Sequence, residues 1–232
     1  MIRAVFVTGT DTGVGKTVVC AGLAAAWARR GAGVGVMKPF ATGAVRRGGR
    51  WLSEDAELLA RAAGTDDAPE LVTPALFRAP LAPSEAARLE GRRVQLGRVT
   101  RAFRRLARRH RRLIVEGVGG ILVPLRPRLP VARWAARLGL PVLIVTRPTL
   151  GTLNHTALTV LAARAYGLRV LGLVINYHAP FRKGLAERLN PRALEEETGR
   201  PVLATIPYLG RAARRVPEHP EFDRLARRLE AL

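Results

Sequence analysis

The chain is poor in cysteine, in aromatic residues and, despite a strongly basic balance, in lysine. A lone cysteine, Cys20, cannot close an intramolecular disulfide, which fits a reducing compartment and leaves stability to the core. Aromatic side chains are 5% of the 232 residues, so stacking platforms for single-stranded nucleic acid are scarce. No apolar run approaches the roughly 20 residues that span a bilayer. The opening MIRAVFVTGT runs straight into a strand-like segment without a signal-peptide layout. A cytoplasmic protein with no membrane partner is therefore expected. What is present is a hydrophobic fraction of 48%, spread along the whole sequence, which excludes disorder and suffices for a sizeable core. No repeat, low-complexity linker or composition break divides the chain, so residues 1–232 are expected to form one domain.

The formal net charge is +21, yet of 39 basic residues only three are lysines: Lys16, Lys38 and Lys183. Arginine serves almost everywhere. The remaining lysines are therefore candidates for positions where a compact ammonium cannot be replaced by a guanidinium fork. The densest arginine run, over 101–112, reads as the solvated face of a helix whose other side carries Val99, Phe103, Leu106 and Ala107. With Phe103 its one aromatic, it is a poor nucleic-acid patch, and no nucleic-acid partner is expected.

Strand-like and helical segments alternate. Residues 4–8 read as a strand, followed by a Gly/Thr-rich loop and a helix over 16–30 with Val19, Leu23, Ala26 and Trp27 at helical spacing and Gly31 as its stop. A second strand is expected over 33–38 and a short helix over 53–63, with Ser53 as N-cap and Gly64 at its end. Residues 64–83 look like loop, 99–112 like helix, and 113–115 like a strand ending on Glu116. Residues 141–146 and 170–175 are continuous β-branched runs, as for strands covered on both faces. Helices over 153–166 and 184–198, a strand over 202–205 and a helix over 222–232 complete the pattern. The expected fold is α/β, a mostly parallel sheet with helices on both faces.

In such sheets ligands bind beyond the carboxyl ends of the strands. The first strand is followed by Gly9-Thr-Asp-Thr-Gly-Val-Gly-Lys-Thr17, close to a phosphate-binding loop although Thr10 stands where the strict pattern has glycine. There the glycines let successive N–H groups face a phosphate, Lys16 reaches the β- and γ-phosphates, and the Thr17 hydroxyl suits Mg²⁺. The second strand ends on Lys38, with Thr42 close behind. Glu116 reads either as a metal ligand or as a salt-bridge partner for an arginine. Asp55 reads either as a metal ligand or, with Glu54 and Glu57, as charge favouring a helix N-terminus. Cys20 reads as a small core residue and His155 as structural. Lys183 has no evident role.

Five stretches together resemble the dethiobiotin synthetases, in order and spacing, over essentially the whole chain: Phe6-Val-Thr-Gly-Thr-Asp-Thr-Gly-Val-Gly-Lys-Thr17, Lys38-Pro-Phe-Ala-Thr-Gly43, Val115-Glu-Gly-Val-Gly-Gly120, Leu150-Gly-Thr-Leu-Asn-His155 and Ile206-Pro-Tyr-Leu209. The resemblance implies a P-loop NTPase-like fold and an ATP- and Mg²⁺-dependent ligase. That enzyme would close the ureido ring of dethiobiotin from 7,8-diaminopelargonic acid and CO₂. It further implies that Lys16 and Lys38 are catalytic and that Thr17, Asp55 and Glu116 hold Mg²⁺. The triphosphate would be wrapped by Gly13, Val14, Gly15, Lys16, Thr17 and Val18. Asp55, Glu116, Gly117, Val118 and Gly119 would line the nucleotide. Asn176 would read adenine beside Tyr177, with Pro207, Tyr208 and Leu209 closing that pocket. Thr12 and Thr42 would meet the diamine, and Gly151, Thr152, Leu153 and Asn154 would take the substrate carboxylate across a homodimer interface.

Two other readings compete. A ParA/MinD-like switch ATPase would carry a signature lysine five residues before Lys16, where this chain has Asp11. An amidotransferase-type ligase would need a nucleophilic cysteine, and Cys20 lies in the wrong place.

Overall fold

The computed structural model describes residues 3–180 and 184–232. Lys183 lies outside the described residues. Among the described residues the central sheet has six strands: β1 (Ala4–Gly9), β2 (Val34–Met37), β3 (Arg112–Gly120), β4 (Val142–Thr146), β5 (Val170–Asn176) and β6 (Val202–Ile206). Their spatial order is β6-β5-β4-β1-β3-β2, and every neighbouring pair is parallel. The long helices are α1 (Lys16–Arg29), α2 (Glu54–Ala63), α3 (Leu96–Arg109), α4 (Thr152–Ala165), α5 (Leu185–Thr198) and α6 (Pro220–Glu230).

Strand periodicity explains the layering. On β1, Val5 and Val7 enter one core with α1, α2 and α6, while Phe6 enters the opposite core with α3 and α4. The continuous β-branched runs are thus covered on both faces, as parallel strands require. Helix α1 is apolar almost all round because it lies between the sheet, α2 and α6, and Val19 through Trp27 are buried. Gly22 permits the close approach to α6, since a Cβ there would lie 2.3 Å from the Phe222 ring. Cys20 is buried in the same core.

Several expectations hold. Ser53 caps α2, its hydroxyl accepting from the Ala56 N–H at 3.3 Å, and Gly64 ends it in the left-handed region at φ 65°. The arginines at 98, 101, 104, 105 and 108 on α3 are exposed.

Other expectations are corrected. Helix α3 occupies Leu96–Arg109, not 99–112, because Arg112 is already in β3, opposite Val34. The segment 64–83 is not plain loop: it holds a helical turn, Pro69–Val72, a two-residue strand, Ala75–Leu76, and the start of a helix, Pro83–Leu89. Glu116 does not end its strand. Strand β3 runs on to Gly120, with a register shift against β1 between Val7 and Gly9. A hairpin, Val45–Arg47 with Arg50–Leu52, turns at Gly48 and Gly49 and was outside the expected elements.

Candidate active site

The loop after β1 curls through Gly13, φ 75°, and Gly15, φ 89°, before α1 begins at Lys16. No side chain caps α1 and no acid lies in its first turn, so its leading N–H groups and positive dipole end remain available to an anion. Gly15 is required sterically as well as conformationally, since a Cβ there would lie 2.0 Å from Asn176 Nδ2. Asn176, buried at the end of β5, donates to the Val14 carbonyl at 2.9 Å. It therefore braces the loop from beneath, using one of its two Nδ2 hydrogens for that contact. Lys16 is buried and donates to the Asp11 carbonyl at 3.1 Å. Burial holds its pKa below the ordinary lysine value.

The second lysine is fixed from both ends. The Lys38 N–H donates to the Val72 carbonyl at 2.8 Å, so the helical turn at 69–72 holds the backbone just beyond β2. Its Nζ donates to Asp55 Oδ2 at 2.9 Å and also to Glu116 Oε1. The Thr17 hydroxyl donates to the same Glu116 oxygen at 2.8 Å. Four elements thus converge: α1 through Thr17, the end of β2 through Lys38, α2 through Asp55, and β3 through Glu116. Lys38 is 5% exposed and Glu116 1%, whereas the Asp55 side chain is half-exposed. Burial opposes charge on Lys38, but Glu116 and Asp55 outweigh it and hold its ammonium above the ordinary lysine value. Burial likewise pushes the Glu116 carboxyl up, more than Lys38 pulls it down. For Asp55 burial acts upward too, and there the Lys38 ammonium prevails and holds the carboxyl below its ordinary value.

Among the described residues, Glu116 Oε2 is buried without a hydrogen-bond partner. An orphaned carboxylate oxygen in a dry site is costly unless a cation or water reaches it. Hydroxyl and carboxylate oxygens from Thr17, Asp55 and Glu116 form a hard-oxygen donor set suited to Mg²⁺. Among the described residues no three His, Cys, Asp or Glu side chains form a metal cage. Such an ion would therefore depend on oxygens supplied by a nucleotide and water.

The remaining expected residues form a rim. Gly117 is buried, Val118, Gly119 and Val18 are half-buried, and a Cβ on Gly119 would lie 3.4 Å from the Thr12 hydroxyl. Thr12 is exposed and Thr42 half-buried. Tyr177 is buried, its N–H donating to the Ile206 carbonyl at 2.9 Å, which sets the ends of β5 and β6 side by side. Beyond them Pro207 and Leu209 are half-buried and Tyr208 exposed. Gly151, φ 90°, opens α4 without a side-chain cap, and Thr152 is buried, Leu153 half-buried and Asn154 exposed. His155 is exposed in the first turn.

Two features escaped the sequence reading. Thr146 Oγ1 lies 2.7 Å from Thr152 Oγ1, 2.8 Å from Thr156 Oγ1 and 3.3 Å from Thr10 Oγ1, tying the start of α4 to the loop after β1. Arg147 Nη2 donates to Asp11 Oδ2 at 3.1 Å and to the Thr12 carbonyl at 2.9 Å. Its position directly after a strand was the available signal, obscured by the abundance of arginine.

A family model described as an AAA domain matches residues 3–215. The ATP-dependent dethiobiotin synthetase BioD of Anaeromyxobacter sp. strain K is 49% identical over 215 residues, 92% of this chain and 94% of that protein. The protein of the same name from Thermodesulfovibrio yellowstonii is 41% identical over 88% of each chain. That from Bacillus subtilis strain 168 is 40% identical over 97% of this chain and 95% of its own. Among solved structures, MinD in the MinC:MinD complex of Aquifex aeolicus superposes with a TM-score of 0.62 at 14% identity, covering 99% of this chain and 96% of that one. A ParA family ATPase from Chlorobium tepidum gives 0.59 at 18% identity, covering 100% of both. At such identities the structural likeness speaks for the fold alone.

Proposed function

The chain belongs to the ATP-dependent dethiobiotin synthetase family, and we propose that the residues gathered beyond the strand ends carry out that family's ring closure. The enzyme uses ATP to join CO₂ and 7,8-diaminopelargonate into dethiobiotin. One amine of the diamine adds to CO₂ and loses a proton, giving a carbamate. A carbamate oxygen attacks the γ-phosphorus, the bond to the bridging oxygen breaks, and ADP leaves. The second amine then attacks the carbonyl carbon of the mixed anhydride, phosphate departs and a proton is released, closing the ring.

Phosphoryl transfer of this kind relies on positioning and charge stabilisation. Carbamate and γ-phosphate are both anions, so they need cations between them. Lys16 binds the phosphates, with the N–H groups of residues 13–18 around the chain of phosphates. Lys38 draws carbamate and γ-phosphate together. Mg²⁺, when bound by Thr17, Asp55 and Glu116, neutralises phosphate charge. Thr12 and Thr42 orient the diamine. Gly117, Val118 and Gly119 line the nucleotide, and Tyr177, Pro207, Tyr208 and Leu209 enclose adenine. Asn176 reads adenine through its amide, one of whose two Nδ2 hydrogens is held by the Val14 carbonyl.

The substrate carboxylate binds at the start of α4, on Gly151, Thr152, Leu153 and Asn154, from a second copy of the chain. Exposed Leu150 just before α4 and exposed Leu158 and Leu161 farther along it supply apolar area for a homodimer, which sedimentation would reveal. A cytoplasmic location agrees with the absence, among the described residues, of a helix long and apolar enough to cross a membrane.

The observation carrying this reading is the placement of Lys16 and Lys38, two of the chain's three lysines, at one site with Thr17, Asp55 and Glu116. The test is ADP release with bicarbonate or diamine omitted in turn. Release that requires both agrees with the proposal, and release indifferent to the diamine contradicts it.

A further inference from the structure

Lys38 has a second task at this site. Its ammonium bridges Asp55 Oδ2 and Glu116 Oε1, and Glu116 Oε1 also accepts from Thr17. These are the three side chains proposed above for Mg²⁺. In the chain as described, a lysine ammonium therefore occupies the midst of that donor set. Both carboxylates turn an oxygen to it, so one ammonium offsets part of their combined charge.

An ammonium and a divalent cation sharing the same two carboxylates would lie within a few ångströms of each other and repel strongly in so dry a place. Nucleotide adds acceptors of its own beside Lys38, and Glu116 Oε2, which has no hydrogen-bond partner among the described residues, gives an arriving ion a first protein oxygen. The lysine stem lets Nζ swing while the backbone stays anchored on Val72.

We propose that Lys38 is the resident counter-cation of the Asp55–Glu116 pair and that a divalent ion, arriving with nucleotide, displaces its ammonium from these carboxylates toward the reacting anions. Loading of the metal and presentation of the lysine to carbamate and γ-phosphate are then one exchange. The site keeps its two acids paired before substrate arrives, and Lys38 is freed only when an ion has replaced it. This rests on the metal reading above and goes further, in fixing where Lys38 must be before and after loading.

The scarcity of lysine makes the test direct. In protein carrying ¹³C-labelled lysine, three side-chain Cε signals are expected, assigned with Lys16→Arg and Lys183→Arg. Asp55→Asn, which removes one partner of Lys38, gives the displacement of a partly released lysine. The full chain is measured alone, with ADP plus EDTA, and with ADP plus Mg²⁺, while Mn²⁺ binding with ADP is followed by electron paramagnetic resonance. The proposal expects the Lys38 signal to stay in place with ADP plus EDTA and to shift, in the direction set by Asp55→Asn, as Mg²⁺ is added. Bound ion with an unmoved Lys38 signal means that the two cations coexist, and overturns the exchange while leaving the metal reading intact. No bound ion at all overturns the metal reading and the exchange with it. A Lys38 signal that shifts fully with ADP plus EDTA shows that nucleotide displaces the ammonium without metal, and also overturns the proposal.

Discussion

Replacing Lys38 by Met removes a buried cation and leaves its two acids behind. Cutting one partner from a buried ion pair costs about 3–5 kcal/mol, because the other charge is stranded. The half-exposed Asp55 side chain can recover hydration, so most of the loss falls on Glu116, which is 1% exposed. The low end of that range, about 3 kcal/mol, is expected at neutral pH. For a chain of this size each kcal/mol lowers the midpoint by about 2–4 °C, so thermal unfolding should move down by about 6–12 °C. The loss depends on pH with a definite sign. Burial already raises the Glu116 carboxyl, and removing Lys38 raises it further. A carboxyl raised in the folded state contributes nothing unfavourable while protonated in both states. It costs stability as pH climbs from the ordinary glutamate value, about 4.3, through its own. The gap between Lys38→Met and the parent should therefore close toward pH 4 and be full at pH 8. Glu116→Gln added to Lys38→Met should recover much of it. Denaturant or thermal unfolding of the three proteins across this range is the assay. A loss at pH 8 below about 1 kcal/mol, typical of exposed pairs, would refute the reasoning, as would a loss equal at both pH values.

Two further outcomes follow from the same geometry. Gly15→Ala combines a left-handed φ of 89° with a Cβ 2.0 Å from Asn176 Nδ2, whereas Gly13→Ala, at φ 75°, meets nothing within 4 Å. Calorimetric ATP binding should therefore be lost in the first and weakened far less in the second, and equal losses would show that the Asn176 brace is immaterial. Arg147→Met releases the Asp11 carboxylate and the Thr12 carbonyl, so steady-state kinetics should show a higher KM for the diamine with little change in ATP affinity and partial recovery in Arg147→Lys.

The parts of the fold legible in the sequence are those whose patterns are local. The strand, glycine loop and helix at 4–30 announce themselves through apolar content and Gly13-Val-Gly15. The continuous runs at 141–146 and 170–175 read as covered strands, and the strands lie at Val142–Thr146 and Val170–Asn176. Residues 64–83 were opaque because their short elements depend on distant partners, such as the Val72 carbonyl that receives the Lys38 N–H. The hairpin at 45–52 carries arginines instead of alternating apolar residues, and its signal was only the Gly48-Gly49 turn. Strand β3 outran its expected end because Gly117, Gly119 and Gly120 have low strand propensity, and pairing with β1 prolongs it there. At the site, the places of Lys16, Thr17 and Lys38 beside strands were readable as candidates. The sequence left Glu116 and Asp55 each open between two roles, and the contacts with Lys38 put both carboxylates at one place. Asn176 was read as an adenine contact, and its buried bond to Val14 adds a duty that no local pattern carries.

This chain joins CO₂ to a diamine at the expense of one phosphoanhydride bond. Supplying ¹³C-bicarbonate, 7,8-diaminopelargonate and Mg-ATP, and following product by mass and ¹³C resonance, tests it directly. Dethiobiotin should carry one ¹³C at its ureido carbon, with one ADP formed for each ring closed. ADP formed without labelled dethiobiotin, or no ADP with all substrates present, would contradict it.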